Sequence, residues 1–361
     1  MNIVVVSNIT RGLYSFRKEL LEIIAKEHTV TILANDTGHA RELQNMGCRL
    51  IDVPMDRHGT NPIKEFKLIS TYKTFLKQLK PDVVLTYTIK PNIYCGMACA
   101  DLGIRQIANI TGLGTAVENK SRSQKLMLML YKLGLRKAQK VFFQNKANLD
   151  FLVNNGVVKE HYELIPGSGV NLDEYQVLEY PANETIDFTY IGRVTKQKGI
   201  DQYLEAAKII RSRHPETRFH ICGRCDPEYE VKIRELNDNG TVIYHGLIDD
   251  ISGMHAISCC TLHPSFYPEG MSNVLLESCA CARPIITTDR PGCQEIVDDG
   301  VNGYIVKQKD SADLIEKTVR FLELSWDERR NMGLAGRKKV EKEFDRKIVI
   351  DKYLEEIKNA M

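Results

Sequence analysis

The chain has 361 residues, 43% of them hydrophobic and 27% charged, with a formal net charge of +2. That profile suits a globular protein with a real core and excludes a disordered or fibrous one. No segment approaches the ~20 apolar residues of a spanning helix.

MNIVVVSNIT, at the start, has no basic n-region, and its apolar run is too short for a signal peptide. Ten cysteines lack metal-ligand or disulfide spacing, and Cys259, Cys260, Cys279 and Cys281 read as small core residues of a protein from a reducing cytoplasm. NIVVVS (2–7) predicts a strand, and an amphipathic run from Tyr14 to Glu27 a helix. TVTILA (29–34), RLIDVP (49–54), PDVVLTYT (81–88), QIANIT (106–111) and KVFFQN (140–145) follow as strands. Each is short, rich in β-branched residues and bounded by turn chemistry, with longer helical patterns between them. This is the signature of parallel sheets covered by helices.

Residues 119–149 hold eight Lys/Arg and no acid. Inside them SRSQKLMLMLYKLGLRKAQK predicts a helix over 121–138, with Lys125, Lys132 and Arg136 on one face and Leu126, Leu130 and Leu133 on another. A basic helix with apolar flanks can lie on an anionic membrane. A domain helix with one buried side has the same pattern.

After a polar stretch, NLDEYQVLEYPANET (171–185), the strand–helix pattern restarts with IDFTYIG (186–192), TRFHICG (217–223), TVIYHGL (241–247), CTLHPS (260–265) and PIITTD (284–289). The fold class is therefore α/β, with two doubly wound parallel-sheet domains, 1–170 and 171–344. In such sheets ligands bind beyond the C-terminal ends of the strands, and two in tandem put a cleft between domains. Residues 1–170 carry 23 Lys/Arg against 14 Asp/Glu, and residues 171–361 carry 26 against 33. A basic half suits an anionic partner.

Two stretches of the second half carry chemistry. In IGRVTKQKG (191–199) a strand ends at Gly192, Arg193, Lys196 and Lys198 follow, and a helix begins near Gly199. Cations beside a helix N-terminus make a phosphate seat, although an ordinary solvated loop would look the same. In FYPEGMSNVLLE (266–277) a strand gives way to a loop broken by Pro268 and Gly270, and then to a helix that Ser272 or Asn273 can cap. The amides of Gly270, Met271 and Ser272 are placed to face a ligand. Glu269 and Glu277 are eight positions apart, and eight helical residues rise about 12 Å. They are too far apart to form an acid/base pair on one atom and better placed at two ends of an extended ligand.

EGMSNVLLE, followed by RPIITTD, PGCQEIV and DDGVNGYIV and preceded by GRVTKQKG and HGLIDD, resembles the family 4 retaining glycosyltransferases. The resemblance implies a GT-B fold, two facing Rossmann-like domains with the nucleotide-sugar in the C-terminal one and the acceptor in the N-terminal one. It also implies that the last helix, about 345–361, crosses back onto the N-terminal domain. Carried onto this sequence, Arg193 and Lys198 would bind the donor diphosphate and stabilise the leaving group, beside Gly192. Glu277 would meet the ribose and Glu269 the transferred sugar. Gly270, Met271 and Ser272 would hold sugar and phosphate oxygens, and Gly246 and Leu247 would contact the base, taken as uracil. The chain has no Asp-x-Asp. The family uses no metal or other cofactor, and none is expected here; cations and a helix end take on the developing charge.

In the first half, TYTIKPNIYCGMACADLGI (86–104) and NITGLGTAVEN (109–119) are similar to bacterial capsule, O-antigen and protein-glycan enzymes, including those that move N-acetylgalactosamine onto undecaprenyl-diphosphate-linked sugars. That implies a UDP-sugar donor, a lipid-linked saccharide acceptor, an anionic membrane surface and no nucleic acid. The place would be the inner face of the cell membrane, reached from the cytoplasm. Gly12 fits the loop where backbone approaches the donor phosphates, though a plain turn glycine would look alike. Arg17 and Lys90 are candidates for acceptor phosphate, with solvated surface as the other reading. Many family members carry a histidine after the fifth strand, where this chain has Thr111, so that sugar contact would come from Thr111, from backbone or from elsewhere. His245 and His263 read as structural hydrogen-bonders. A UDP-sugar 2-epimerase of the same fold and a non-catalytic membrane scaffold are the rival functions. A nicotinamide enzyme is disfavoured because no G-x-G-x-x-G follows a strand.

Overall fold

A computed structural model describes residues 1–55, 61–114, 121–182, 184–248 and 250–360. They form two compact units. The first comprises Met1–Ser168, Glu269–Met271 and Lys347–Met361, and the second Gly169–Pro268 and Ser272–Arg346.

In chain order the first unit contains β1 (Asn2–Ile9), α1 (Thr10–Glu27), β2 (Thr29–Asn35), α2 (Ala40–Asn45), β3 (Arg49–Asp52), α3 (Pro62–Leu79), β4 (Val83–Tyr87), α4 (Gly96–Leu102), β5 (Arg105–Ile110), α5 (Arg122–Leu135), β6 (Ala138–Phe143), α6 (Lys146–Asn154) and β7 (Tyr162–Leu164). The second contains β8 (Ile186–Ile191), α7 (Ile200–Arg213), β9 (Thr217–Cys222), α8 (Glu230–Asp238), β10 (Ile243–Tyr244), α9 (Ser252–Ile257), β11 (Cys260–His263), α10 (Asn273–Ala280), β12 (Ile285–Thr288), β13 (Gly303–Val306), α11 (Ser311–Leu322) and α12 (Trp326–Glu343). The last helix, α13 (Arg346–Lys358), begins where the chain returns to the first unit.

Both sheets are parallel, in the orders β3-β2-β1-β4-β5-β6-β7 and β10-β9-β8-β11-β12-β13. Strand order reverses beside β1 in one and beside β8 in the other, the points where such sheets take ligands. The unbroken apolar run of β1 follows from cover on both faces. Ile3 and Val5 pack with Leu13 and Leu20 of α1 and with Val349, Tyr353 and Ile357 of α13. Val4 and Val6 pack with Leu68, Tyr72 and Leu76 of α3. The Asn109 amide also donates to the Tyr353 hydroxyl at 2.6 Å, tying α13 to β5.

The second unit is built around Phe188, Tyr190, Tyr203 and Phe219. It also encloses a cation. Arg283 is fully buried, and its guanidinium donates to the carbonyls of His255 (2.7 Å), Glu179 (2.7 Å), Leu178 (3.2 Å) and Ala256 (3.3 Å). One side chain thereby joins the polar stretch after residue 170 to α9. Cys259, Cys260, Cys279 and Cys281 are all buried, as a packing role requires.

Several elements differ from the sequence expectations. The helix expected to reach 138 stops at Leu135, because Ala138 already pairs with Gln106 in the sheet. The strand expected through 145 ends at Phe143, and Asn145 instead caps α6, its Oδ1 accepting from the Asn148 amide at 2.8 Å. The TVIYHGL strand shrinks to the two residues of β10. β7 and β13 were not anticipated; each is only three or four residues long and lies outside the pattern used for the rest. The unit boundary lies at Ser168, and Glu269–Met271 belongs to the first unit rather than the second.

Candidate active site

In the second unit, the loop after β8 turns at Gly192 (φ 155°), and Arg193 is held through its carbonyl by the Tyr190 hydroxyl at 2.7 Å. A single turn carries Lys196 and Lys198 to Gly199, whose φ is 76°. A side chain at Gly199 would put Cβ 2.0 Å from the Pro264 carbonyl oxygen, so only glycine lets this loop lie so close to the segment after β11. The Phe266 amide completes the seam by donating to the Gln197 carbonyl at 2.9 Å. Arg193 and Lys198 both come to the Tyr267 ring, their charged ends each 5.4 Å from its centre. Two cations thus stand at a strand end, just before α7, a setting that suits an anion.

The loop–helix motif is less uniform than its sequence suggests. Ser272 stands at the N-cap of α10, but its hydroxyl turns to His263 Nε2 at 3.3 Å instead of capping the helix. Its amide donates to the Gly292 carbonyl at 2.8 Å. Ser272 is therefore not the free amide donor expected; the fold already uses that group. Helix begins only at Asn273, so the helical rise does not measure the separation of Glu269 and Glu277.

Glu277 lies in the second turn of α10, 8% exposed. Burial pushes its carboxyl up to about 7, with Arg346 opposing and Glu174 adding to the rise. The unfolded carboxyl ionises near 4.5, so between that pH and about 7 the folded state binds more protons than the unfolded one. Stability from this group is fully present below pH 4.5 and falls as pH rises to 7, by about 3 kcal/mol in all. Denaturant titrations across this window should show the fall in the wild type and its loss in Glu277→Gln; parallel curves would refute it.

The Glu269–Met271 segment is fixed within the first unit. Asn145 Nδ2 donates to the Gly270 carbonyl at 2.6 Å and to the Glu269 carbonyl at 3.0 Å. A Cβ on Gly270 would fall 2.4 Å from Gln144 Oε1 and 2.6 Å from the Thr111 carbonyl oxygen. Thr111 thus meets the motif through its backbone. Asn145 is 1% exposed, and both ends of its amide are used. Sequence reasoning placed it in a strand; an asparagine just before an amphipathic run was the cap signal that could have corrected this.

Other expected residues fall elsewhere. Arg17 is 5% exposed, with its guanidinium 5.1 Å from the Tyr87 ring centre and 5.8 Å from that of Tyr353. It is a core cation, not a surface one. Lys90 pairs with Glu65 at 2.5 Å with both side chains 12% exposed, so the fold itself neutralises the charge assigned to acceptor phosphate. Gly12 sits in the first turn of α1, where the nearest atom to an added Cβ is 3.6 Å away, so packing does not demand a glycine there. Gly246 has φ 70°, and Leu247 beside it is 61% exposed, an apolar side chain open to a ligand. His245 Nε2 meets His220 Nδ1 at 2.9 Å and His220 Nε2 meets the Asp187 carboxylate at 2.7 Å, a structural chain. Residues 115–119 of NITGLGTAVEN, Lys120 of the basic stretch and Asp249 of HGLIDD lie outside the described residues.

Residues 179–339 match the family model of glycosyl transferases group 1, and residues 5–145 match that of glycosyl transferase 4-like proteins. The chain is a family 4 glycosyltransferase. Its two parallel-sheet units are those of the GT-B fold. The glycosyltransferase is 25% identical over 375 residues to the N,N'-diacetylbacillosaminyl-diphospho-undecaprenol alpha-1,3-N-acetylgalactosaminyltransferase of Campylobacter jejuni, covering 98% of this chain and 97% of the relative. It is 24% identical to the capsular polysaccharide biosynthesis glycosyltransferase CapM of Staphylococcus aureus, covering 94% and 92%. Among solved structures it is similar to Anabaena HepE in complex with UDP-glucose, with a TM-score of 0.81, 15% identity and full coverage of both chains.

Proposed function

We propose that this glycosyltransferase moves a sugar, an N-acetylhexosamine such as N-acetylgalactosamine, from a UDP-sugar to a saccharide carried on polyprenyl diphosphate, in surface glycan synthesis. The observation that carries the donor half is the convergence of Arg193 and Lys198 at the β8 end. A diphosphate leaving group develops charge as its bond to the sugar breaks, and preorganised cations stabilise that charge without a metal ion. Glu269 meets the transferred sugar, and Glu277 accepts from the ribose hydroxyls. The anomeric configuration is retained: the C1–O bond to the diphosphate breaks, the acceptor oxygen bonds C1 on the same face, and its proton passes to the departing diphosphate. Support for the lipid-linked acceptor is the name of the Campylobacter jejuni relative, matched over nearly the whole chain.

Nucleotide-sugars test the reading in a thermal-shift panel. A ligand at a hundred times its Kd adds about 2.7 kcal/mol to the native state. UDP and UDP-N-acetylhexosamines should raise the melting temperature more than their GDP and ADP counterparts. No shift with any UDP compound would count decisively against it, and product analysis without acceptor separates transfer from 2-epimerisation.

The reading extends to an anionic membrane as the second partner. No helix among the described residues is long and apolar enough to cross a membrane. On α5 the exposed stripe is mixed: Leu126 (53%), Met129 (53%) and Leu133 (38%) lie among exposed Arg122, Lys125 and Lys132. Leu130, expected to share the apolar face, packs inward, and Arg136 pairs with Asp101. A stripe of this kind binds through charge and apolar area together. Lys125→Glu with Lys132→Glu should weaken binding to vesicles containing phosphatidylglycerol, most at low salt. Equal binding by the variant and the wild type would remove the membrane from the proposal.

A further inference from the structure

We infer that Tyr267 is a positioning residue for the donor diphosphate: its ring gathers Arg193 and Lys198 in advance of the ligand. The inference rests on the reading that these two cations hold the diphosphate. Their charged ends each lie 5.4 Å from the ring centre, inside the roughly 6 Å over which an aromatic face attracts a cation.

The geometry around the ring is fixed from both sides. Gly199 has no room for a side chain beneath the Pro264 carbonyl, and the Gln197 carbonyl accepts from the Phe266 amide at 2.9 Å. The Tyr267 amide donates to Ser265 Oγ at 3.3 Å. The loop bearing the cations and the loop bearing the ring are therefore stitched together by their backbones, and the side chains meet as a consequence. Ser265 itself is fully buried, so the ring is anchored at its root.

The chemistry explains why a ring suits the place. Two cations brought to one ring repel each other. The negative face of an aromatic ring attracts both and neutralises neither. Ordering the two long side chains beforehand removes part of the entropy cost of binding.

UDP titration calorimetry at fixed ionic strength tests this with five chains: the wild type, Tyr267→Phe, Tyr267→Leu, the double variant Arg193→Ala with Lys198→Ala, and that double variant carrying Tyr267→Leu. Tyr267→Phe keeps the ring face and should bind UDP within about twofold of the wild type. Tyr267→Leu should weaken UDP by about three- to thirtyfold. In the double-alanine background Tyr267→Leu should add no further loss, because the groups it positions are gone. A role in stacking on the nucleotide or in holding the loop would give the same loss in both backgrounds and would overturn the inference. Should Tyr267→Leu melt early, a series of fluorinated phenylalanines at 267 keeps the shape while draining the ring face. UDP affinity must then fall with each fluorine, and a flat series overturns the inference. Absence of UDP binding by the wild type overturns the functional reading and this inference together. UDP binding with a silent Tyr267→Leu overturns this inference alone.

Discussion

Replacing Lys198 by alanine is expected to cut sugar transfer by about 10²–10³-fold while the chain stays folded. The ammonium sits half-buried at the end of a single turn and beside the Tyr267 ring, in a loop held by backbone hydrogen bonds and by the tight passage of Gly199. That loop owes its shape to groups the substitution leaves untouched, so stability should change little. Transfer should suffer, because the leaving diphosphate loses a positioned charge where its own charge develops. Glu269→Ala is expected to lower transfer comparably. Its backbone stays fixed by Asn145, whose amide grips the carbonyls of residues 269 and 270 rather than the Glu269 side chain. The measurement is turnover of UDP-N-acetylhexosamine against a lipid-linked acceptor, with the melting temperature recorded beside it. Full activity in either variant would dismiss the assignment of these groups.

Arg283→Ala is expected to destabilise the second unit by about 3–5 kcal/mol. Its guanidinium serves four carbonyls, those of Leu178, Glu179, His255 and Ala256, in a site without solvent. Truncation strands those oxygens and leaves a cavity, and buried unpaired polar groups are costly. Lysine is no substitute, because a point charge cannot reproduce a planar fork aimed at several acceptors. For a unit of this size the loss corresponds to a fall in melting temperature of about 10 °C. Urea unfolding followed by the fluorescence of Trp326, which lies in this unit beside Tyr180, reads it directly. A midpoint within experimental error of the wild type would show that the carbonyls find other donors.

Much of the fold was legible because buried parallel strands leave a local mark. Residues Ile3 to Val6 of β1 are apolar without a break and β8 is mostly apolar, and both strands are buried along most of their length. The motif loops were equally legible, since Gly192, Gly199 and Gly270 mark turns or tight passages. Two short elements were not: β13 has four residues and β7 three, too few for a period to register. The basic helix shows a subtler failure. Periodicity placed Leu126 with Leu130 on one face, yet the first is exposed and the second packs inward. A helical wheel orders residues around an axis but does not say which arc the rest of the protein covers.

The amino-acid sequence by itself determined two parallel α/β sets, the cationic loop after β8, the paired glutamates and the family. Those features are written in neighbouring residues, where local propensity and side-chain chemistry decide the outcome. The family resemblance already implied that the last helix returns to the first unit; only the tertiary structure decided the contact that ties α13 to β5, Asn109 to Tyr353 across 244 residues. It alone decided that Asn145 reaches Gly270 across 125 positions, that Arg17 is sealed in the core and that Lys90 is spent on Glu65. It alone brought Tyr267 to Arg193 and Lys198. These are contacts between segments far apart in the chain, and no local pattern encodes them. They exist because burying apolar strands forces the loops at their ends together, and the polar groups on those loops must then find partners.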